Sequence, residues 1–245
     1  MKTILITGCS SGFGLEIAGY FLARDWHVIA TMRQPQADLL PRSERLRVLS
    51  LDVTDAASIR SLIEAAGPVD VLVNNAGIGM LGAVEGTSMA NARDVFETNT
   101  LGTIAMTQAI LPQMRERTAG VVINVTSSVT LKSLPLLAVY SASKSAVNAF
   151  TESLALELQQ FNIRVNLVLP GRAPTTSFGA NAQPRMQGAI PEAYAAMAQQ
   201  VFAGWAAATE EVTEAIDVAQ AVWQAATDPA APLRIAAGAD ALALM

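Results

Sequence analysis

The segment Val-Tyr-Ser-Ala-Ser-Lys, residues 139–144, sets a phenol and an amine four positions apart, Tyr140 and Lys144, in a chain that has one histidine and one cysteine. Histidine and cysteine are scarce, so these two side chains are early candidates for moving a proton. On a helix they project from the same face one turn apart, and both heads can address one bound molecule. A phenol with a pKa near 10 is a poor base at neutrality, but a nearby ammonium favours phenolate. A drop of roughly three units corresponds to about 4 kcal/mol, a reasonable demand on partly desolvated charges. Such a tyrosine can give or take a proton at a carbonyl or alcohol oxygen. Spacing alone does not make a site, since many helix starts carry it. A second group is supplied by Ile-Asn-Val-Thr-Ser-Ser-Val, residues 123–129, a strand-like run that ends in hydroxyls thirteen positions before Tyr140. Ser127 stands where it can hydrogen-bond a substrate oxygen.

The elements that must position these groups alternate along the chain. Apolar strand-like runs occur at residues 3–7, 28–32, 46–51, 69–73, 121–125 and 163–169, with a last one at 234–236. Helical stretches of crossover length separate them, at 14–24, 88–117 (with Pro112 near its end), 139–160 and 210–227. This is an α/β pattern, and it predicts one parallel sheet of about seven strands covered by helices on both faces. We read residues 1–245 as a single domain. From Pro170 the composition turns to Pro, Gly, Thr, Ser and Asn and then to an Ala-rich helical stretch with Met197, Phe202 and Trp205. Residues 171–209 are therefore read as an excursion that covers a hydrophobic ligand.

Between the first strand and first helix lies Thr-Gly-Cys-Ser-Ser-Gly-Phe-Gly, residues 7–14. Gly8, Gly12 and Gly14 allow a tight turn and close approach to a pyrophosphate, with Ser10, Ser11 and Phe13 on the same loop and the N–H groups of a helix start facing the anion. The spacing is Gly-xxx-Gly-x-Gly and not the Gly-x-Gly-x-x-Gly dinucleotide pattern, so a turn that binds nothing is the competing reading. At the end of the second strand, where an acidic residue would hold the ribose hydroxyls of NAD, the chain has Met32 followed by Arg33. An arginine there fits the extra phosphate of NADP(H).

The composition narrows the partner. Hydrophobic residues make up 51% and charged ones 15%, with a net charge of −5. An acidic chain is poorly suited to nucleic acid or an anionic membrane, and a small molecule is expected instead. No apolar window reaches spanning length, and the start of the chain has only a short apolar run. Cys9 has no intrachain partner, which fits a reducing, cytoplasmic setting. Cys9 is read as a small residue in the turn and His27 as a flank of the second strand. No Cys/His/Asp cluster has metal-ligand spacing.

Taken in order, Thr7-Gly8-xxx-Gly12-x-Gly14, Asp52-Val53, Asn74-Asn75-Ala76-Gly77, Asn99, Ser127, Tyr140-xxx-Lys144 and Pro170-Gly171 resemble the short-chain dehydrogenases/reductases over almost the whole chain. The loop and Arg33 are most similar to NADP(H)-preferring members of the 17β-hydroxysteroid dehydrogenase kind. The resemblance implies a Rossmann-type doubly wound fold and a homodimer or homotetramer paired through the long helices. It implies Tyr140 as general acid/base, Lys144 lowering its pKa and binding the nicotinamide ribose, Ser127 orienting the carbonyl, and Asn99 holding a water of a proton relay. It further implies that Asp52 and Val53 meet the adenine, that Asn74, Ala76 and Gly77 approach the adenosine side, and that Pro170, Gly171 and Thr175 meet the nicotinamide end. Thr130 and the Arg172–Pro174 stretch depart from the family pattern and bear on substrate shape. Ser127, Val129, Leu134, Tyr140 and Phe178, with Met80, Leu137 and Met186, are candidates for the substrate wall. Their apolar character favours a hydrophobic ketone or secondary alcohol, while Arg172 is the one nearby charge that could select an anionic group. Two other readings stay open: a 3-oxoacyl thioester reductase, and an NADP(H)-sensing regulator without turnover.

Overall fold

The alternation of strands and helices is realised in a computed structural model that describes all residues except 37 and 208–210. The strands are β1 (Thr3–Thr7), β2 (His27–Met32), β3 (Leu46–Ser50), β4 (Val71–Asn74), β5 (Gly120–Val125), β6 (Ile163–Pro170) and β7 (Arg234–Ala237). They form one parallel sheet in the order β3-β2-β1-β4-β5-β6-β7. The helices are α1 (Gly12–Leu22), α2 (Ala56–Ala66), α3 (Met89–Phe96), α4 (Gly102–Glu116), α5 (Ala138–Leu158), α6 (Phe178–Met186), α7 (Ala195–Ala207), α8 (Ala215–Thr227) and α9 (Ala239–Leu242). Because β1 pairs with both β2 and β4, the winding reverses there, and a crevice opens at the carboxyl ends of these strands.

Successive strand residues face opposite sides of the sheet. Ile4 and Ile6, with Val28 and Ala30, pack with Ile17 and Phe21 of α1 and Val218 and Val222 of α8. Leu5, Ile29 and Leu72 face the other way, onto Leu62 of α2, Met106 and Ile110 of α4 and Leu154 of α5. Burial on both faces is why these strands read as unbroken apolar runs.

Three elements differ from the sequence reading. The expected helix at 88–117 is α3 and α4 joined by a π-turn at Glu97–Leu101, and α4 runs through Pro112 to Glu116. The helix expected from residue 210 starts at Ala215. Glu214 and Asp217 form a reciprocal capping box, with Glu214 N–H donating to Asp217 Oδ2 at 2.9 Å, and this fixes the start; residue 210 itself lies outside the described residues. The excursion, described as far as residue 207, holds α6 and α7, and its apolar side chains close a small cluster of Leu81, Ala83, Leu136 and Ala198 with Leu137, Met186 and Trp205.

Candidate active site

Ser127 follows β5, Tyr140 lies in the first turn of α5, and Lys144 follows one turn later; all three are buried. The π-turn delivers Asn99 to the same place. Its Oδ1 accepts from Ile78 N–H at 2.8 Å, and its Nδ2 donates to Ile78 O at 3.0 Å and Ser143 Oγ at 3.1 Å. Ser143 Oγ in turn donates to Tyr140 O at 2.7 Å. Lys144 Nζ donates to Val125 O at 3.0 Å. A Cβ on Gly77 would sit 3.2 Å from Asn99 Oδ1 and 3.3 Å from Lys144 Nζ, so the missing side chain is what lets amide and amine converge. The four catalytic residues expected from the sequence thus meet at the carboxyl edge of the sheet.

The sequence reading has Lys144 and the positive ring of an oxidised nicotinamide together favouring phenolate. Among the protein's own groups, burial pushes Tyr140 above its ordinary value, and the facing Ser127 hydroxyl offsets only part of this. Burial also pulls Lys144 down, to about 8. Both groups have left water, which penalises phenolate and ammonium alike. At neutral pH Tyr140 is therefore a neutral phenol, the form that can give a proton.

The glycine loop is held from below. Asn75 Nδ2 donates to Thr7 O at 2.9 Å and Gly8 O at 3.1 Å, and Thr7 Oγ1 accepts from Asn75 N–H at 3.0 Å and Ala76 N–H at 2.9 Å. Gly8 has φ +77° and a Cβ there would lie 2.8 Å from Ala76 Cα, while a Cβ on Gly14 would overlap Gly8 O. Ser11, the N-cap of α1, makes no side-chain capping bond and the first turn has no acid, so the helix start keeps its donors for an anion. Ser10 is exposed, and Ser11 and Phe13 are half-buried.

At the end of β2, Met32 is buried in the core and Arg33 is exposed. Asp52 shares that corner. Its carboxyl is held low first by Thr54 N–H at 2.9 Å and Thr54 Oγ1 at 2.7 Å, and to a smaller extent by the Arg33 charge. Val53 packs on Gly102, where a Cβ would lie 2.8 Å from Val53 Cγ2.

Several expected residues stand elsewhere. The Asn74 side chain is buried between helix and sheet, donating to Thr107 Oγ1 at 3.0 Å and Asn124 Oδ1 at 2.8 Å, whereas its neighbour Asn75 serves the loop. Thr175 is exposed; it is Thr176 that sits against Gly12, 3.5 Å from where a Cβ would be. Leu137 and Met186 are half-buried and pack against the small apolar cluster, and Met80 is buried. The Arg172 guanidinium donates to Trp205 O at 2.9 Å, which ties it to α7. Phe178 does reach the centre. Its ring lies 5.6 Å from that of Tyr140 at 61°, and a Cβ on Gly79 would come within 2.8 Å of it. Val129 and Leu134 are half-buried, Val129 N–H donating to Ser127 Oγ at 3.3 Å. Thr130, where the family pattern departs, donates to Ser127 O at 2.8 Å and closes that turn.

Sequence reasoning missed Ser143 and Thr176, and it named Asn75 in its motif without giving the side chain a role of its own. Cys9 is buried away from solvent, its thiol pushed up to about 12 by that burial, and His27 is exposed at the start of β2. Among the described residues no cluster of three His, Cys, Asp or Glu is arranged to hold a metal, and no helix is long and apolar enough to cross a membrane. The open hollows lined by Thr3, His27 and Arg45, and by Ile63, Gln113 and Arg117, involve none of Asn99, Ser127, Tyr140 and Lys144.

A profile of the short chain dehydrogenase family matches residues 2–186, a stretch that carries the glycine loop, Asn99, Ser127, Tyr140 and Lys144. The chain belongs to the short-chain dehydrogenases. Within the family it is 42% identical over 187 residues to retinol dehydrogenase 8 of Bos taurus, covering 71% of this chain and 60% of that protein. It is 36% identical over 250 residues to estradiol 17-beta-dehydrogenase 1 of Rattus norvegicus, covering 94% of this chain and 72% of that one. The chain thus spans about 60% of the length of the retinol dehydrogenase relative. A short-chain dehydrogenase of Streptomyces avermitilis, solved by crystallography, superposes with a TM-score of 0.81 at 35% identity, covering 99% of this chain and 90% of that one. Solved members of similar fold include complexes with NADP and with NAD.

Proposed function

We propose that this short-chain dehydrogenase interconverts a hydrophobic ketone and its secondary alcohol with NADP(H). The observation that carries the reading is the convergence of Ser127, Tyr140, Lys144 and Asn99 at the strand edge beside the glycine loop. The residues fit a dinucleotide. The loop has glycines where side chains would block it, an uncapped helix start for the pyrophosphate, and Asp52 at the adenine corner. When bound, the nicotinamide supplies a hydride to the carbonyl carbon, or accepts one in the reverse direction.

The side chains account for the rest. Ser127 donates a hydrogen bond to the carbonyl oxygen and holds it against Tyr140, favouring the charge that develops there. Tyr140, neutral at pH 7, gives its phenolic proton to that oxygen and is left as phenolate. Lys144, with a pKa of about 8, is mostly protonated at neutrality. Its ammonium, one helical turn from the phenol in the same buried site, favours the phenolate that the transfer leaves. Asn99 locks the Gly77–Ile78 backbone against α5, which sets the space for the ribose end of the cofactor. Phe178, edge-on to Tyr140, covers the reacting region and supplies apolar contact to the substrate.

NADP(H) is favoured by Arg33 standing exposed where an acid would select NAD, with Met32 turned into the core. Pairing with a second copy would use α4 and α5, on which Leu156, 72% exposed, is an apolar side chain left in solvent. The test is cofactor consumption, by absorbance, with NADPH and NADH against ketones, aldehydes and keto esters. Fastest turnover is expected with NADPH and bulky apolar ketones; binding of the dinucleotide with no turnover across the panel would overturn the reading in favour of a sensor.

A further inference from the structure

The apolar excursion leaves β6 at Gly171 and returns to the sheet side at Thr213, and both ends close on one carboxylate. Arg172 N–H donates to Asp240 Oδ2 at 2.6 Å, and Thr213 Oγ1 lies 2.7 Å from Asp240 Oδ1. The same Thr213 hydroxyl accepts from Gly171 N–H at 2.8 Å, and Thr213 N–H donates to Arg172 O at 2.9 Å. A Cβ on Gly171 would overlap the Asp240 carboxylate, so glycine there is the complement of the acid. Asp240 is presented by α9, directly after Gly238, whose φ of +92° and lack of a side chain let Thr213 come in against it. Arg172 then extends the closure to Trp205 O at 2.9 Å, at the far end of α7. The Thr213 hydroxyl also lies 2.8 Å from Ala237 O, so its one hydrogen is shared between that carbonyl and Asp240, and the contacts to the Asp240 carboxyl join segments 27 and 68 residues apart in sequence.

We infer that Asp240 is a positioning residue: its carboxylate clasps Gly171–Arg172 and Thr213, the segments that flank the excursion, and thereby sets the Pro170-Gly171 turn and the placement of Phe178 over Tyr140. This rests on the proposed dinucleotide reading for its catalytic consequence, though the clasp itself does not. It touches neither substrate nor the reacting atoms.

The experiment compares Asp240→Ala, Asp240→Asn and, as a variant on the other jaw, Thr213→Val in the full chain. Three quantities are read: limited proteolysis within 172–207, NADPH affinity by fluorescence titration, and kcat and KM for the best carbonyl of the panel. Asp240→Ala is expected to speed cleavage of the excursion at least tenfold, with a thermal midpoint close to wild type. It should also raise KM for the carbonyl about tenfold, more than it lowers kcat. Asp240→Asn keeps one acceptor oxygen and should recover part of both effects; Thr213→Val should reproduce the Ala phenotype. Unchanged cleavage in a folded Asp240→Ala or Thr213→Val variant overturns the clasp, and so does a loss of thermal midpoint that fully parallels the gain in cleavage. If wild type neither binds NADPH nor turns over, the functional reading fails while the cleavage comparison still decides the clasp.

Discussion

Lys144→Met is the perturbation whose consequence the structure allows to be worked out most fully. The amine is buried with one protein acceptor, Val125 O, and burial lowers its pKa from 10.5 to about 8. A group depressed in the folded state leaves the native protein with fewer bound protons than the unfolded one between those values, so stability rises with pH across that window. Below pH 8 both states are protonated, and the folded state carries the full cost of a buried cation, about 3 kcal/mol at 1.36 per unit. At pH 9.5 the folded amine is neutral while the unfolded one is still mostly charged, and about 1.5 kcal/mol of that cost remains. Methionine keeps the volume and removes the titration. It also strips Val125 O of a donor, a loss of about 1 kcal/mol that does not vary with pH. Urea unfolding of both proteins at pH 7 and pH 9.5 isolates the effect. At pH 7 the variant should be the more stable by about 2 kcal/mol, and wild type should recover about 2 kcal/mol relative to it by pH 9.5. A stability difference that stays flat with pH would show that Lys144 is not a buried cation and would remove the source of phenolate stabilisation from the proposed chemistry.

Two further outcomes follow from the cofactor side. Arg33→Ala should weaken NADPH by about 10- to 100-fold, the loss expected for a charged hydrogen bond of about 1.5–3 kcal/mol, and leave NADH nearly unchanged; equal losses for both, measured as kcat/KM, would remove Arg33 from the 2′-phosphate. Gly14→Ala drives a methyl into Gly8 O and against Asn75 Nδ2, so it should cost about 1–3 kcal/mol in urea unfolding and reduce dinucleotide affinity; wild-type stability would mean that the loop is not packed as described.

The strands were legible because a sheet buried on both faces needs continuous apolar segments, and each such run is a strand of the sheet within a residue or two. Tyr140 and Lys144 were legible as one helix face and Ser127 as a strand edge, and the ordered family motifs around them are what mark the three as a candidate site. Asn99 was legible only through the family pattern: the π-turn that aims it leaves no mark on apolar periodicity. Asn74 and Asn75 are adjacent in extended chain and face opposite ways, and nothing in their identity tells which faces the loop. Leu137 and Met186 read equally well as pocket wall or as packing, because both environments select the same side chains, and their contact with the cluster of Leu81 and Ala198 had no mark in the sequence. Asp240 had no signal at all. Its partners are 27 and 68 residues away, and a single acid near a short strand looks like surface.

The central claim is that the neutral phenol of Tyr140 gives the proton that completes reduction of the carbonyl. Tyr140→Phe removes that hydroxyl and keeps the ring against Phe178. With the best carbonyl of the panel, single-turnover NADPH oxidation should slow by about 10²–10⁴-fold, the range for loss of a positioned acid, while NADPH affinity by titration stays within about twofold of wild type. Oxidation at the wild-type rate, with the dinucleotide bound as tightly, would contradict the account.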